Sequence, residues 1–408
     1  MFAHFLGKTA EKTVAETGFG NNPEHREADI LLNGQKERNA PIRRAKRVTI
    51  SDVSDALGLT KGTVSRALNG YPDISDSTRN RVRRVSEKMG YQPLSHAQAI
   101  KTGRTRSLGL VLQFGDHDSH RPFLADFLSG ISHGASQENW TVTVATADSD
   151  GDTLKTVQQL LAERKADGFI LPRTMTDDPR VRLLRDASAP FVLYGRTHDT
   201  TDCAWFDILG EDAMRDAVLR LAKQGHERIA FVNGGSDYYY SVLRLQGMLQ
   251  GLKAAGIAPD PDLIVTDAVR PEDGAAATRK MLRLANPPTA FVFAVDMAAL
   301  GLYQVAADYG LAVGSDLSVI AYDGVPEGAF ATPALTTFSV DSRQAGERLA
   351  ALLIRRVRGE AVQNLRETAN ATLVERGSDG PPTMTSNHLA RVVSAHSKKS
   401  EHPKGGTK

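Results

Sequence analysis

The chain has 408 residues, 41% of them hydrophobic and 24% charged, with a net charge of only +2, which is the profile of an ordinary globular protein of two or three domains. A single cysteine, Cys203, excludes a disulfide framework and fits a reducing cytoplasm. No apolar run approaches the eighteen or more residues that span a bilayer, and the N-terminus MFAHFLGKTAEKTVAETGFG lacks the basic-then-apolar layout of a secretory signal.

Residues 1–45 are polar, mixed in charge and aperiodic, and read as a disordered extension or an overextended start. The next segment, 46–94, carries three short amphipathic patterns. Thr49 followed three residues later by Asp52 is a capping box that opens a helix near Ile50, and Ile50, Val53 and Leu57 share one face of it. Gly58 supplies the turn, Thr60 caps a second helix, and Val64, Ala67 and Leu68 form that helix's buried face. Lys61, Thr63, Ser65 and Arg66 point elsewhere. Ser75 caps a third helix, expected over 78–89, with Val82, Val85 and Met89 inside and Arg79, Arg81, Arg83 and Arg84 around them; Gly90 ends it. Two helices joined by a tight turn make a helix-turn-helix. Charge supports a role on nucleic acid: from Arg43 to Arg106 there are 14 Lys/Arg against 5 Asp/Glu, whereas Ser107 to Ser378 holds 26 against 35. A basic head on an acidic body suits phosphate neutralisation by the head alone.

The segments TISDVSDALGLTKGTVSRALNG, ISDSTRNRVRRVSEKMGYQP and AIKTGRTRSLGLVL, in this order and at these distances, resemble the head of the lactose/galactose repressor family of bacterial transcription regulators. The resemblance runs from about Val48 to Gly377. It implies a dimeric repressor or activator, read here as a repressor, whose affinity for palindromic operator DNA is set by a small ligand, commonly a sugar. Carried over by position, base reading falls on Lys61, Gly62 and Arg66. Arginine or lysine against the guanine acceptor edge is the commonest specific major-groove contact. Gly62 stands where a longer polar side chain is usual in such readers, so one base contact is missing. Thr49, Thr60, Thr63, Ser65, Asn69 and Arg79 are assigned to the cap-and-phosphate side, which positions the domain without reading sequence. The stretch SHAQAIKT, within a linker at 95–106, is similar to the family's hinge helix, with Ile100 at the position of the apolar minor-groove wedge.

From Ser107 onward LGLVLQF, WTVTVATA, ADGFILP, PFVLYG, RIAFVNG, TAFVFAV and LSVIAYD are seven short apolar runs, most of them separated by helical segments. Such runs predict parallel sheets covered on both faces, and seven strands over this length predict two sheets. The fold class expected is therefore an all-α head followed by an α/β two-lobed body, 107–378, which the resemblance identifies as similar to periplasmic binding proteins, with three crossovers and the ligand in the cleft. Ligands of open parallel sheets bind at the carboxyl ends of strands, which makes Arg196, Asp207, Asp296 and Asp323 candidates. By resemblance, Arg244 and Asp323 match the family's ligand-holding arginine and cleft aspartate, and Phe123 its apolar wall. A guanidinium and a carboxylate grip vicinal hydroxyls by charge-assisted hydrogen bonds. Val295 stands where some sugar-binding members carry Asn. PFVLYGRTHD and AWFD are similar to members that respond to disaccharides or α-glucosides. A regulator answering to a purine or nucleoside, and a sugar-binding protein without DNA function, are the alternatives.

No nucleophile elbow, metal cluster or phosphate-cradling loop is legible, so neither catalysis nor a cofactor is expected. Residues 379–408 lack a sustained leucine heptad and read as a disordered tail, which favours a dimer over a tetramer.

Overall fold

The computed structural model describes residues 47–91, 104–113 and 123–401. The extension 1–45 and the hinge stretch with Ile100 lie outside the described residues. Two units divide the chain at Leu94 and Ser95.

The first unit is a three-helix head: α1 (Ile50–Leu57), α2 (Lys61–Leu68) and α3 (Asp76–Met89). Each helix starts where its sequence signals. The Thr49 hydroxyl accepts from the Asp52 amide at 3.3 Å while the Asp52 carboxylate accepts from the Thr49 amide at 2.7 Å, closing the capping box. Thr60 accepts from the Thr63 amide and Ser75 from the Thr78 amide. The third helix thus begins two residues earlier than expected. Gly58, at φ 66°, ends α1 in the left-handed region, where a side chain would be strained. Val53, Leu57, Val64, Ala67 and Val82 form a small buried core, so the three helices are held by one apolar face each.

The second unit contains two six-stranded sheets. Lobe 1 is built from β1 (Ser107–Gln113), α4 (Phe123–Gln137), β2 (Thr141–Ala147), α5 (Asp150–Ala162), β3 (Gly168–Leu171), α6 (Pro179–Asp186), β4 (Phe191–Tyr194) and β5 (Ala204–Ile208). The chain then crosses to lobe 2: α7 (Gly210–Lys223), β6 (Ile229–Val232), α8 (Tyr239–Ala254), β7 (Ile264–Val265), α9 (Pro271–Leu282), β8 (Ala290–Phe293), α10 (Asp296–Asp308), β9 (Ser318–Asp323) and β10 (Thr336–Ser339). It returns to lobe 1 for α11 (Ser342–Val357) and β11 (Arg366–Ala369), then crosses a third time for β12 (Thr372–Val374) and α12 (Ser386–Glu401). Strand order is β11-β5-β4-β3-β1-β2 in lobe 1 and β12-β10-β9-β8-β6-β7 in lobe 2, all neighbours parallel except β10 with β12. Apolar clusters cover both faces of each sheet, as the continuous Val/Ile/Phe runs require. In lobe 1, α11 returns across α4 so closely that a Cβ on Gly130 would lie 2.1 Å from the Arg343 carbonyl.

Two expectations are corrected. The described residues hold twelve strands, not seven, because β5, β7, β10, β11 and β12 are two to five residues long and some, such as RETA, are polar. The segment after Ser378 is not a loose tail through residue 401. The Val319 amide of β9 donates to the Ser378 carbonyl at 2.8 Å and the Ser378 hydroxyl to the Val319 carbonyl at 2.6 Å, the buried Asp379 carboxylate accepts from Arg220 at 2.6 Å and Thr336 at 2.6 Å, and α12 sets Leu389 and Val393 into the lobe 2 core. Leu389, Val392 and Val393 stand at helical spacing, but His, Ser and Lys around them dilute the signal.

Candidate DNA-reading helix and effector cleft

On the head, α2 exposes Lys61, Gly62 and Arg66, with Thr63 and Ser65 half-buried beside them. Arg66 forms an exposed ion pair with Asp73 and lies 5.5 Å from the Tyr71 ring, both in the loop that follows the helix. Asn69, the C-cap, donates back to the Ser65 carbonyl at 2.6 Å. Arg79 is placed differently from the other candidates. It donates to Asp76 at 2.6 Å and to the Tyr71 and Ile74 carbonyls at 3.2 and 3.0 Å, and so fastens the loop between α2 and α3.

In the body, a cavity of about 640 Å³ lies between the lobes, within the ~300–1,000 Å³ typical of small-molecule sites. Arg244 and Asp323 meet there, as expected. The Arg244 guanidinium is layered between the Tyr240 and Tyr322 rings, 4.5 and 4.0 Å from their centroids, and donates to the Ala294 carbonyl at 2.6 Å. Its other fork nitrogen stands 4.0 Å from Asp323 Oδ1, too far for a direct hydrogen bond and suited to a hydroxyl bonded to both. Burial pushes Asp323 up to about 6, against the pull of Arg244 and Arg173.

Asp207 also lines the cavity; burial raises its pKa, and the neighbouring Arg196 opposes the rise. Arg196 itself is not among the lining residues. It sits behind Asp207, paired with that carboxylate and, at 2.6 Å, with Glu211 of lobe 2. Asp296 likewise does not line the cavity. Its side chain is fully buried, with Oδ2 accepting the Gly324 and Val325 amides at 2.9 Å each and Oδ1 accepting from Thr337 at 2.7 Å. Burial, then the nearby Asp323 charge, raises it to about 7. Phe123 opens α4, and its side chain is outside the described residues.

Sequence reasoning missed Tyr194, Glu211, Tyr240, Tyr322 and Arg173, all lining residues. Tyr194 and Tyr322 close apolar strand runs and look like core; nothing local marks the others. One further feature was not legible. The turn after β3 in lobe 1 and the turn before α8 in lobe 2 are clasped: Met175 pairs antiparallel with Tyr238, the Thr176 amide donates to Asp237 at 3.0 Å, and the Tyr239 amide donates to Thr174 at 3.0 Å. Arg173 covers the Tyr238 ring at 4.4 Å, and Tyr238 stacks on Tyr240 at 5.6 Å, which continues the layers to Arg244.

Among the described residues no helix is long and apolar enough to cross a membrane, and no group of three His, Cys, Asp or Glu could hold a metal ion.

A small helical head and a two-lobed, mostly parallel α/β body with an interlobe cavity define a ligand-responsive regulator. Residues 49–94 match the model of bacterial regulatory proteins of the lacI family, and residues 218–378 that of the periplasmic binding protein-like domain. The HTH-type transcriptional regulator AglR of Rhizobium meliloti (strain 1021) is 33% identical over 82% of this chain and 95% of its own. Among solved structures, the transcriptional regulator CelR in complex with cellobiose aligns with TM-score 0.63 at 30% identity, covering 81% of this chain and all of CelR. The lac repressor dimer bound to operator aligns with TM-score 0.68 at 26% identity, over 82% of this chain and all of that one. The chain belongs to the lacI family of bacterial regulatory proteins. It is a DNA-binding transcriptional regulator with a ligand-binding body.

Proposed function

We propose that the chain is a homodimeric cytoplasmic repressor, without catalytic activity, released from or recruited to a palindromic operator by a neutral mono- or disaccharide. The carrying observation is the Arg244–Asp323 pair, facing each other at 4.0 Å inside a cavity large enough for two sugar rings. Carboxylates outnumber guanidiniums on the cavity wall, with Asp126, Asp207, Glu211, Asp323 and Asp341 against Arg173, Arg244 and Arg343. That balance disfavours a phosphorylated or acidic ligand and favours a polyol. Tyr240 is stacked on both faces, by Arg244 at 4.5 Å and by Tyr238 at 5.6 Å, so this ring is not free to stack on a purine. The CelR neighbour holds cellobiose, in line with a disaccharide here.

In this reading Arg244, Asp323 and Asp207 hold ligand hydroxyls, Phe123 supplies an apolar wall and Arg196 braces Asp207 and Glu211. Lys61 and Arg66 read base edges beside the bare Gly62, while Thr49, Thr60, Thr63, Ser65 and Asn69 serve phosphates. Arg79 acts by holding the α2–α3 loop. Ile100 wedges into the minor groove. Ligand and operator are coupled because sugar holds the lobes together, and the coupling is reciprocal, about 1–3 kcal/mol. Calorimetric titration with maltose, sucrose, trehalose and cellobiose tests the reading: at least one binds with a micromolar Kd and Arg244→Ala removes it. Binding of none, together with tight binding of adenosine or hypoxanthine, contradicts it.

A further inference from the structure

Asp323, the last residue of β9, has φ 122°, and Gly324 follows at 79°. Two successive positive φ angles are costly where the first belongs to an aspartate, and such a turn persists only when its surroundings hold it. Two elements do so. From β10, Ser339 closes on Gly324 so tightly that a Cβ there would lie 2.4 Å from the serine hydroxyl. From the first residue of α10, Asp296 receives the two amides that follow Asp323, Gly324 and Val325, on a single oxygen, while its other oxygen is fixed by Thr337. Asp296 is at 0% exposure, whereas its neighbours Val295 and Met297 line the cavity, so it stands one layer behind the wall.

We infer that Asp296 is a positioning residue for the effector site: it fixes the strained 323–325 turn so that the Asp323 carboxylate faces Arg244 across the cleft. The inference rests on the reading that Asp323 holds the effector. Buried carboxylates without a cation partner are costly, and the ionisable groups around Asp296 are Asp323 from β9, Tyr303 on its own helix, and Arg376 beyond Tyr303. Burial and Asp323 both raise its proton affinity. The geometry tolerates the proton. Neutral Asp296 still accepts both amides on Oδ2, and a hydroxyl on Oδ1 donates to Thr337, whose own hydrogen turns away. An asparagine reproduces that arrangement with its amide nitrogen toward Thr337; an alanine leaves two buried amides without an acceptor.

The test is a double-mutant cycle in the full-length chain with cellobiose and maltose as probes, read by calorimetry. Asp323→Asn and Asp296→Ala each weaken binding about 10- to 100-fold, the double variant is no weaker than either single one, and Asp296→Asn stays within about threefold of the parent. Additive losses, or an Asp296→Asn loss as large as that of Asp296→Ala, overturn the inference. Crystal structures of the ligand-free variants decide it without any sugar. In Asp296→Ala the Asp323 φ leaves the positive region, and in Asp296→Asn it is kept; an undisturbed 323–325 turn in Asp296→Ala overturns the positioning role. If the parent chain takes none of maltose, sucrose, trehalose and cellobiose and binds adenosine or hypoxanthine instead, while the turn relaxes in Asp296→Ala, the effector reading fails and the positioning role of Asp296 on the turn stands.

Discussion

Gly62 is the residue at which the head is least like a dedicated reader. A Cβ built on it would meet nothing closer than the Thr60 hydroxyl at 3.7 Å, so no packing requires glycine there. Gly62→Ala should therefore stabilise the head by up to about 1 kcal/mol through helix propensity, measured by thermal melting of the 46–94 transition. A loss of stability would mean that glycine serves a backbone need. The two buried carboxylates give a prediction in pH. Asp296 and Asp323 have folded pKa values of about 7 and about 6, above the unfolded value. Their protonated forms thus favour the fold below about pH 4, and that contribution fades as pH rises through 6 and 7. The melting temperature of Asp296→Asn relative to the parent should accordingly climb between pH 5 and pH 8. A flat difference across that range would show that Asp296 stays ionised throughout. At this scale Arg244 and Asp323 were legible because both stand where chain pattern and resemblance coincide. Arg196 and Asp296 were half legible: strand ends placed them at the correct edge, but which side of the cavity wall a side chain takes depends on partners such as Glu211 and Thr337 that are remote in sequence.

Elements with strong local signals were readable, and those specified by packing were not. Caps at Thr49, Thr60 and Ser75 gave the head to within two residues, since a hydroxyl and an orphan amide three residues on settle a helix start locally. By contrast β11 and β12 are short, exposed on one side and recognisable only through their partners β5 and β10. The last helix, α12, is the clearest miss. Its Leu389 is fully buried, so Leu389→Ala should cost about 2–5 kcal/mol in denaturant unfolding of the body; an unchanged midpoint would restore the reading of a loose tail. The clasp between the 173–176 and 236–240 turns is likewise a product of tertiary structure. Removing the Arg173–Tyr238 layer in Tyr238→Ala should weaken sugar binding about three- to tenfold, mainly through faster release, because a cation–π contact at a partly desolvated site is worth roughly 0.5–2 kcal/mol. Stopped-flow dissociation rates equal to those of the parent would show that the clasp does not hold the cleft.

Over the whole molecule, the division of charge anticipates the division of labour. A head of balance +9 and a body of balance −9 cannot both favour DNA, and the sign of each matches its fold. What binds the two into one device is linkage: a sugar that prefers one lobe arrangement must alter operator affinity by the factor by which DNA alters sugar affinity. The most direct test is fluorescence anisotropy of a palindromic operator fragment titrated with the full-length chain, with and without saturating sugar. The parent chain should show at least about a fivefold change in operator Kd, Arg244→Ala should keep the sugar-free Kd and lose the change, and Arg66→Ala should lose selective binding under both conditions. An operator Kd that sugar shifts equally in Arg244→Ala, or selective capture that survives Arg66→Ala, would contradict the account.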